Sequence, residues 1–241
     1  MTQFNAHPAV KALAFDVFGT VVDWRGSIAR EAAALGTGRG IACNGEAFAD
    51  GWRAGYAPAM DRVRRGDLPW MNIDALHRLI LDSIVGDFGL GDLDEAARTH
   101  LNRAWHRLAP WPDSVAGLMR LKSRYAITTL SNGNFSLLVD LARHGGLPWD
   151  CVISAELFGH YKPDPETYLG TARLLDVAPA ELMLVAAHPS DLRAAKAQGC
   201  RTAYVIRPLE FGAGHPLPDY AADEFDVVAD DFLDLARQLG A

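Results

Sequence analysis

The chain has 241 residues, 49% hydrophobic and 22% charged, which excludes a disordered chain and suffices for one large domain or a core carrying a smaller inserted one. With 30 Asp and Glu against 23 Lys and Arg the formal charge is −7; this argues against nucleic acid or an anionic membrane surface as partner, but not against a small anion held by one or two buried cations. The 3 cysteines, Cys43, Cys151 and Cys200, are scattered and form no CxxC pair, so a disulfide framework or zinc site is not expected and a reducing cytosol is.

The opening MTQFNAHPAVKALAFD has no basic stretch leading into an apolar one, and no apolar run approaches the ~18 residues of a membrane span, so the expectation is a cytoplasmic protein without a leader. Residues 10–15 form a short apolar run ending at Asp16 and followed by Gly19, which predicts a buried parallel strand. From 24 to 107 the pattern is helical only, with predicted helices over 27–35, 46–65, 73–88 and 93–108 and glycine-rich joints between them. Strand-like runs then recur at 126–130, 151–153, 183–186 and 202–206, separated by predicted helices over 114–124, 135–145, 165–175 and 191–198. This alternation predicts an α/β doubly wound parallel sheet, with residues 1–23 and 108–241 as the core domain and 24–107 as a helical subdomain inserted after the first strand. Residues 208–226 lack periodicity, and a loop of that length in a compact domain is often functional.

In an open α/β sheet ligands sit beyond the carboxyl ends of the strands, where Asp16, Ser131 and His188 all fall. Four segments there carry possible chemistry. Asp16-Val-Phe-Gly-Thr20 places a carboxylate at a strand end, either a nucleophile in a wrapped loop or a turn-capping Asp. Ser131-Asn132-Gly133 offers donors for an anion or an ordinary helix cap. Lys162-Pro163-Asp164-Pro165 starts a helix with Pro165 at its first position, leaving Lys162 just ahead of it, facing a cleft or solvent. His188-Pro189-Ser190-Asp191 follows a strand and is either part of a site or a cap with Asp191 in the first turn.

Together, in this order and spacing, the four segments resemble the haloacid dehalogenase superfamily over nearly the whole chain, helical insertion included. Its nucleophilic aspartate falls on Asp16, its Ser/Thr motif on Ser131, its lysine on Lys162 and its acidic motif on residues 188–191. Phosphatases of that superfamily carry a second Asp two residues after the nucleophile, as general acid, and hold Mg²⁺ with carboxylates of the fourth motif. Here those places hold Phe18 and the Ala187-His188 pair, and only Asp191 remains. A halide leaves without a proton, so the departures fit carbon–halogen cleavage with no metal and no cofactor. Trp52-Arg53, Ser131-Asn132-Gly133 and Lys162-Pro163 through Tyr168 are similar to the motifs of the 2-haloacid dehalogenases, whereas the usual Ser-Ser-Asn-x-x-Asp reads Ala186-Ala187-His188-Pro189-Ser190-Asp191.

The resemblance implies hydrolysis of short 2-halocarboxylates to 2-hydroxy acids through an Asp16 ester, with substrate and halide as the small-molecule partners. In this scheme Lys162 keeps Asp16 ionised, Asp191 orients the hydrolytic water, and Thr20 and Tyr168 orient Asp16 and Lys162. Ser131 holds the substrate carboxylate, Arg53 and Asn132 receive the halide, and His188 donates to water or substrate or caps its turn. Val17 and Phe18 fall at substrate-contacting positions, and Trp70 supplies an apolar wall or belongs to the core of the insertion. A homodimer is implied by the resemblance alone. The alternatives are a phosphatase of the same superfamily, opening of a strained 2-carboxylate ring by the same nucleophile, and a non-catalytic binding protein on this fold.

Overall fold

The structure is a computed structural model describing residues 10–241; residues 1–9, the start of the predicted core segment and of the stretch read for a leader, lie outside the described residues. Elements run in the order β1 (Ala12–Phe15), β2 (Val22–Asp23), α1 (Trp24–Gly38), α2 (Gly45–Ala54), α3 (Tyr56–Arg64), α4 (Ile73–Ile84), α5 (Glu95–Asn102), β3 (Ala109–Pro110) and α6 (Ser114–Lys122). They continue with β4 (Ala126–Thr129), α7 (Phe135–Gly145), α8 (Pro165–Leu174), β5 (Leu182–Ala186), α9 (Pro189–Ala197), β6 (Arg201–Val205), β7 (Val227–Ala229) and α10 (Phe232–Gln238).

Five strands pair in parallel in the order β4-β1-β5-β6-β7. In register, Leu13 stands between Ile127 and Met183, and Val185 lies opposite Ala203. Because neighbouring strand residues point to opposite faces, β1 feeds two apolar clusters. Leu13 and Phe15 pack with Leu137, Leu141, Phe232 and Leu235 on one face; Ala12 and Ala14 pack with Tyr168, Leu192 and Ala195 on the other. Helices cover both faces, which is why β1 and β5 are buried at every position. The fold is the α/β doubly wound sheet that the alternation predicts, and β1 sits between β4 and β5, so the loops after these strands share one cleft.

Between β2 and β3 the chain runs through α1–α5 and short turns. Val22 and Asp23 pair antiparallel with Pro110 and Ala109, tying the entry of this helical stretch to its exit. The stretch is also fastened at its far side, where Arg64 of α3 bonds the Asp164 carboxylate at 3.1 Å and the Lys162 carbonyl at 2.7 Å. Among the described residues no helix is long and apolar enough to cross a membrane.

Two local expectations are corrected. The predicted strand at 151–153 makes only isolated bridges, because side chains take the place of a ladder there: Thr129 Oγ1 donates to the Ile153 carbonyl and accepts its N–H, and Asp150 accepts the Ile127 N–H. The predicted helix over 46–65 breaks into α2 and α3 at Gly55, where a Cβ would lie 2.5 Å from Ile80 and where Pro58, in the next turn, lacks the N–H to continue the ladder. The sequence reading also missed β7 and α10, a strand of 3 residues being too short to show a period.

Candidate active site

Asp16 directly follows β1, and its N–H still pairs with the Val185 carbonyl at 3.0 Å, so the adjacent strands fix its backbone. Both carboxylate oxygens are engaged. Oδ1 accepts from Lys162 Nζ at 2.8 Å; Oδ2 accepts from Thr20 Oγ1 at 2.8 Å and lies 3.0 Å from His188 Nδ1. Thr20 is committed as donor because its oxygen accepts the Ala187 N–H at 2.9 Å. Lys162 Nζ also contacts Asp191 Oδ2 at 2.5 Å, and the Tyr168 hydroxyl donates to Asp191 Oδ1 at 2.5 Å. Tyr168 therefore orients Asp191, not Lys162 as the resemblance implied. Burial on its own raises the Asp16 carboxyl, but the positive charge of Lys162 and the bond and charge of His188 outweigh it and hold the group well below the carboxylate range. Burial likewise lowers Lys162, but the carboxylates of Asp16 and Asp191 outweigh that and hold the ammonium above its ordinary range.

His188, the N-cap of α9, has a second partner that sequence reasoning missed. Its Nε2 lies 2.9 Å from Glu210 Oε1, and Trp24 Nε1 donates to the same oxygen at 3.1 Å. Glu210 is only 3% exposed and stands in the nonperiodic loop after β6. It reaches the cleft because Gly19, at φ +83°, has no side chain: a Cβ there would lie 2.1 Å from Glu210 Oε1. Burial lowers the His188 ring, but the Glu210 charge and the contacts with both carboxylates outweigh it, and the ring is pushed up to about 10. The only sequence signal for Glu210 was the length of its loop.

Asp16, Phe18, Arg53, Tyr56, Ser131, Asn132, Lys162, His188 and Asp191 are among the residues lining one cavity of about 160 Å³, small beside the ~300–1,000 Å³ of drug-sized ligand sites. Arg53, from α2, lies 4.4 Å above the Tyr56 ring and 5.6 Å from that of Trp24, and its Nη1 is buried without a hydrogen-bond partner. Phe18 meets Trp105 edge-on at 5.5 Å and gives the wall an apolar surface. Asn132 Oδ1 accepts the Lys162 N–H at 2.6 Å, locking two lining loops together, and Ser131 Oγ accepts the Gly133 N–H at 3.1 Å. Two expected residues fall elsewhere. Trp70 is 43% exposed and stacks on Tyr161 in the loop between α3 and α4, beside a different cavity, so Phe18 and Tyr56 form the apolar wall in its place. Val17 is buried with its side chain in the core, and its carbonyl accepts from Val21 and Val22. Tyr56 was not singled out in the sequence, because the helix break before it hid its place.

The donor set does not suit a divalent cation. The two acids that face each other, Asp16 and Asp191, already share the Lys162 ammonium, Phe18 and Ala187 offer no side-chain oxygen, and Mg²⁺ demands octahedral oxygen ligation. Among the described residues no group of three or more His, Cys, Asp or Glu is arranged to hold a metal.

Comparison with known proteins agrees with this arrangement. The chain is 51% identical to a solved L-2-haloacid dehalogenase, with TM-score 0.91 and coverage of 96% of this chain and 99% of the other. It is 45% identical to a solved defluorinating L-2-haloacid dehalogenase, with TM-score 0.92 and 96% coverage of both chains. A curated (S)-2-haloacid dehalogenase from Xanthobacter autotrophicus is 31% identical over 82% of this chain and 76% of its own length. A solved L-2-haloacid dehalogenase from that organism, 27% identical with TM-score 0.79 over 96% of this chain and 99% of its own, has chloropropionic acid covalently bound. The family model for haloacid dehalogenase-like hydrolases matches residues 10–199. By sequence and fold, the chain belongs to the haloacid dehalogenase-like hydrolase family.

Proposed function

We propose that the protein hydrolyses short (S)-2-haloalkanoic acids and haloacetates to 2-hydroxy acids through an ester on Asp16. The observation that carries this reading is the pairing, in one small cavity, of a carboxylate held ionised by Lys162 with a half-buried guanidinium whose Nη1 is shielded from solvent and lacks a hydrogen-bond partner. The carboxylate attacks C2 and forms a C–O bond; the carbon–halogen bond breaks and the halide departs toward Arg53. Phe18 stands where a proton donor would be needed for an alkoxide leaving group, and a halide needs none. Ser131 and nearby backbone amides take the substrate carboxylate. Asp191 keeps lone pairs free beyond its bonds to Lys162 and Tyr168, and through them positions and deprotonates the water that attacks the ester. The covalent adduct in the Xanthobacter structure and the relatives' names support this reading.

Residues 24–107 act in it as a cap: they supply Arg53 and Tyr56 and close the cleft through the contacts of Arg64. The free state of Cys43, Cys151 and Cys200 suits a reducing, cytoplasmic setting. Fluoride displacement belongs in the substrate range to be tried, given the defluorinating neighbour. The test is halide release from fluoro-, chloro- and bromoacetate and both enantiomers of 2-chloropropionate, with excess chelator present. Release from the (S) enantiomer and the acetates is expected. Phosphate release from p-nitrophenyl phosphate with Mg²⁺, and no halide release, would assign the chain to the phosphatases.

A further inference from the structure

The dehalogenase reading leaves one charged group of the cleft unused. Glu210 is buried, comes from a loop distant in sequence, and touches His188 and Trp24 without lining the active-site cavity itself. His188 lies between two carboxylates, Asp16 Oδ2 at 3.0 Å and Glu210 Oε1 at 2.9 Å. Each ring nitrogen faces an acceptor oxygen, so both contacts are hydrogen bonds only when both nitrogens carry a proton. Thr20 supplies a second donor to the same Oδ2, fixed in that role by the Ala187 N–H.

We infer that Glu210 is a positioning residue: it locks His188 as a two-proton donor on Oδ2 of Asp16, which leaves Oδ1 as the attacking atom and builds, with Thr20, a donor pair for the charge that ester hydrolysis places on Oδ2. The inference rests on the dehalogenase reading. In the second step, the water oxygen bonds to Cγ of Asp16 and its proton passes to Asp191. The carbonyl electron pair moves onto Oδ2, toward Thr20 Oγ1 and His188 Nδ1. Collapse restores the carbonyl and breaks the Cγ–Oδ1 bond; Oδ1 leaves with the 2-hydroxy acid, which regains the proton. Donors already in place where charge develops need no reorganisation during the reaction. The charged or titratable groups around the ring are Asp16 with Lys162 on its other oxygen, Asp191 on the same helix, Arg53 from α2 and Tyr56 from α3, and, on the far side, Glu210 with Tyr204, Arg207 and His215 lining the cavity behind it.

Two measurements separate this role from a structural one and from failure of the reaction itself. The first needs no substrate: histidine NMR should show His188 protonated to near pH 10 in the native protein and losing its proton at a clearly lower pH in Glu210→Gln. The second is single-turnover chloroacetate kinetics, with halide and the ester mass read separately. Glu210→Gln should slow ester hydrolysis more than halide release, by roughly tenfold or more and up to the ~10²–10³-fold that removal of a whole oxyanion donor costs, and should move the alkaline limit of hydrolysis downward. In a His188→Asn background the same substitution should cause no further slowing. An unchanged His188 titration in Glu210→Gln, or an equal further loss in the His188→Asn background, would overturn the assignment. Absence of both halide and ester in the native protein would instead refute dehalogenation, and the NMR titration would still test the lock.

Discussion

The two walls of the cleft treat polarity in opposite ways. On the sheet side Asp16, Lys162, Asp191, His188 and Glu210 are linked by contacts of 2.5–3.0 Å. On the helical side Trp52 and Trp105 pack against His77, Trp105 also meets Phe18 and stacks on Trp24, and the Nη1 of Arg53, both ring nitrogens of His77 and the Nε1 of Trp105 are buried without a hydrogen-bond partner. Paired groups on the sheet side fix charge and geometry before substrate arrives. Of the unpaired groups on the helical side only Arg53 lines the cavity, and its shielded Nη1, without a hydrogen-bond partner, gains more from an incoming anion than a fully solvated cation does.

Removing the nucleophile tests the paired wall most severely. Asp16→Asn should abolish turnover by several orders of magnitude while keeping its contact with Thr20, and halide assays with intact-protein mass measurement should show neither product nor adduct. Next in size is Asp191→Asn, which keeps the shape and loses the base. It should release one equivalent of halide and accumulate the ester, slowing turnover by about 10²–10⁴-fold; normal turnover, or a stall before any halide appears, would remove Asp191 from that role.

The unpaired wall responds through Arg53→Lys. A flexible ammonium cannot reproduce a planar fork held over Tyr56, and kcat/KM for chloroacetate should fall on the order of 10²-fold, the scale of a misplaced catalytic contact. Near-native kinetics would make Arg53 a packing residue. The smallest effects concern pH and stability. His188 titrates higher in the folded state, near 10 against 6.5, so its contribution to stability is complete below pH 6.5 and is lost as pH rises through about 10. His77 is driven down to about 3, burial being the main cause, so the unfolded chain takes up its proton first and stability falls as pH drops from 6.5 toward 3. His77→Phe should keep the stack on Trp105, flatten that acid limb in denaturant titrations, and raise stability at neutral pH by about 1 kcal/mol, since two buried polar atoms without partners are removed.

The two walls also differ in how readable they were. Asp16 and Asp191 follow apolar runs, and Lys162 precedes a proline-started helix, so periodicity and local chemistry point to them directly. Arg53 was reached only through the resemblance of Trp52-Arg53. Glu210 and Tyr56 were not reached: the first acts across a distance in sequence and depends on the missing side chain of Gly19, and the second follows a helix break set by Gly55 against Ile80. Trp70 misled because an aromatic in a helical stretch looks like wall or core, whereas here it stacks on Tyr161 outside the cleft.

The central claim is that Asp16 becomes covalently bound to C2 and is then hydrolysed at its own carboxyl carbon. A single turnover of chloroacetate in heavy-oxygen water, with enzyme in excess, tests it most directly. Water attacking the ester leaves its oxygen on the enzyme, so peptide mass analysis should find the label on Asp16 and the glycolate product should carry none. Label in the glycolate with none in the protein would mean that water attacks the substrate directly, and the account given for Asp16 and its donors would be wrong.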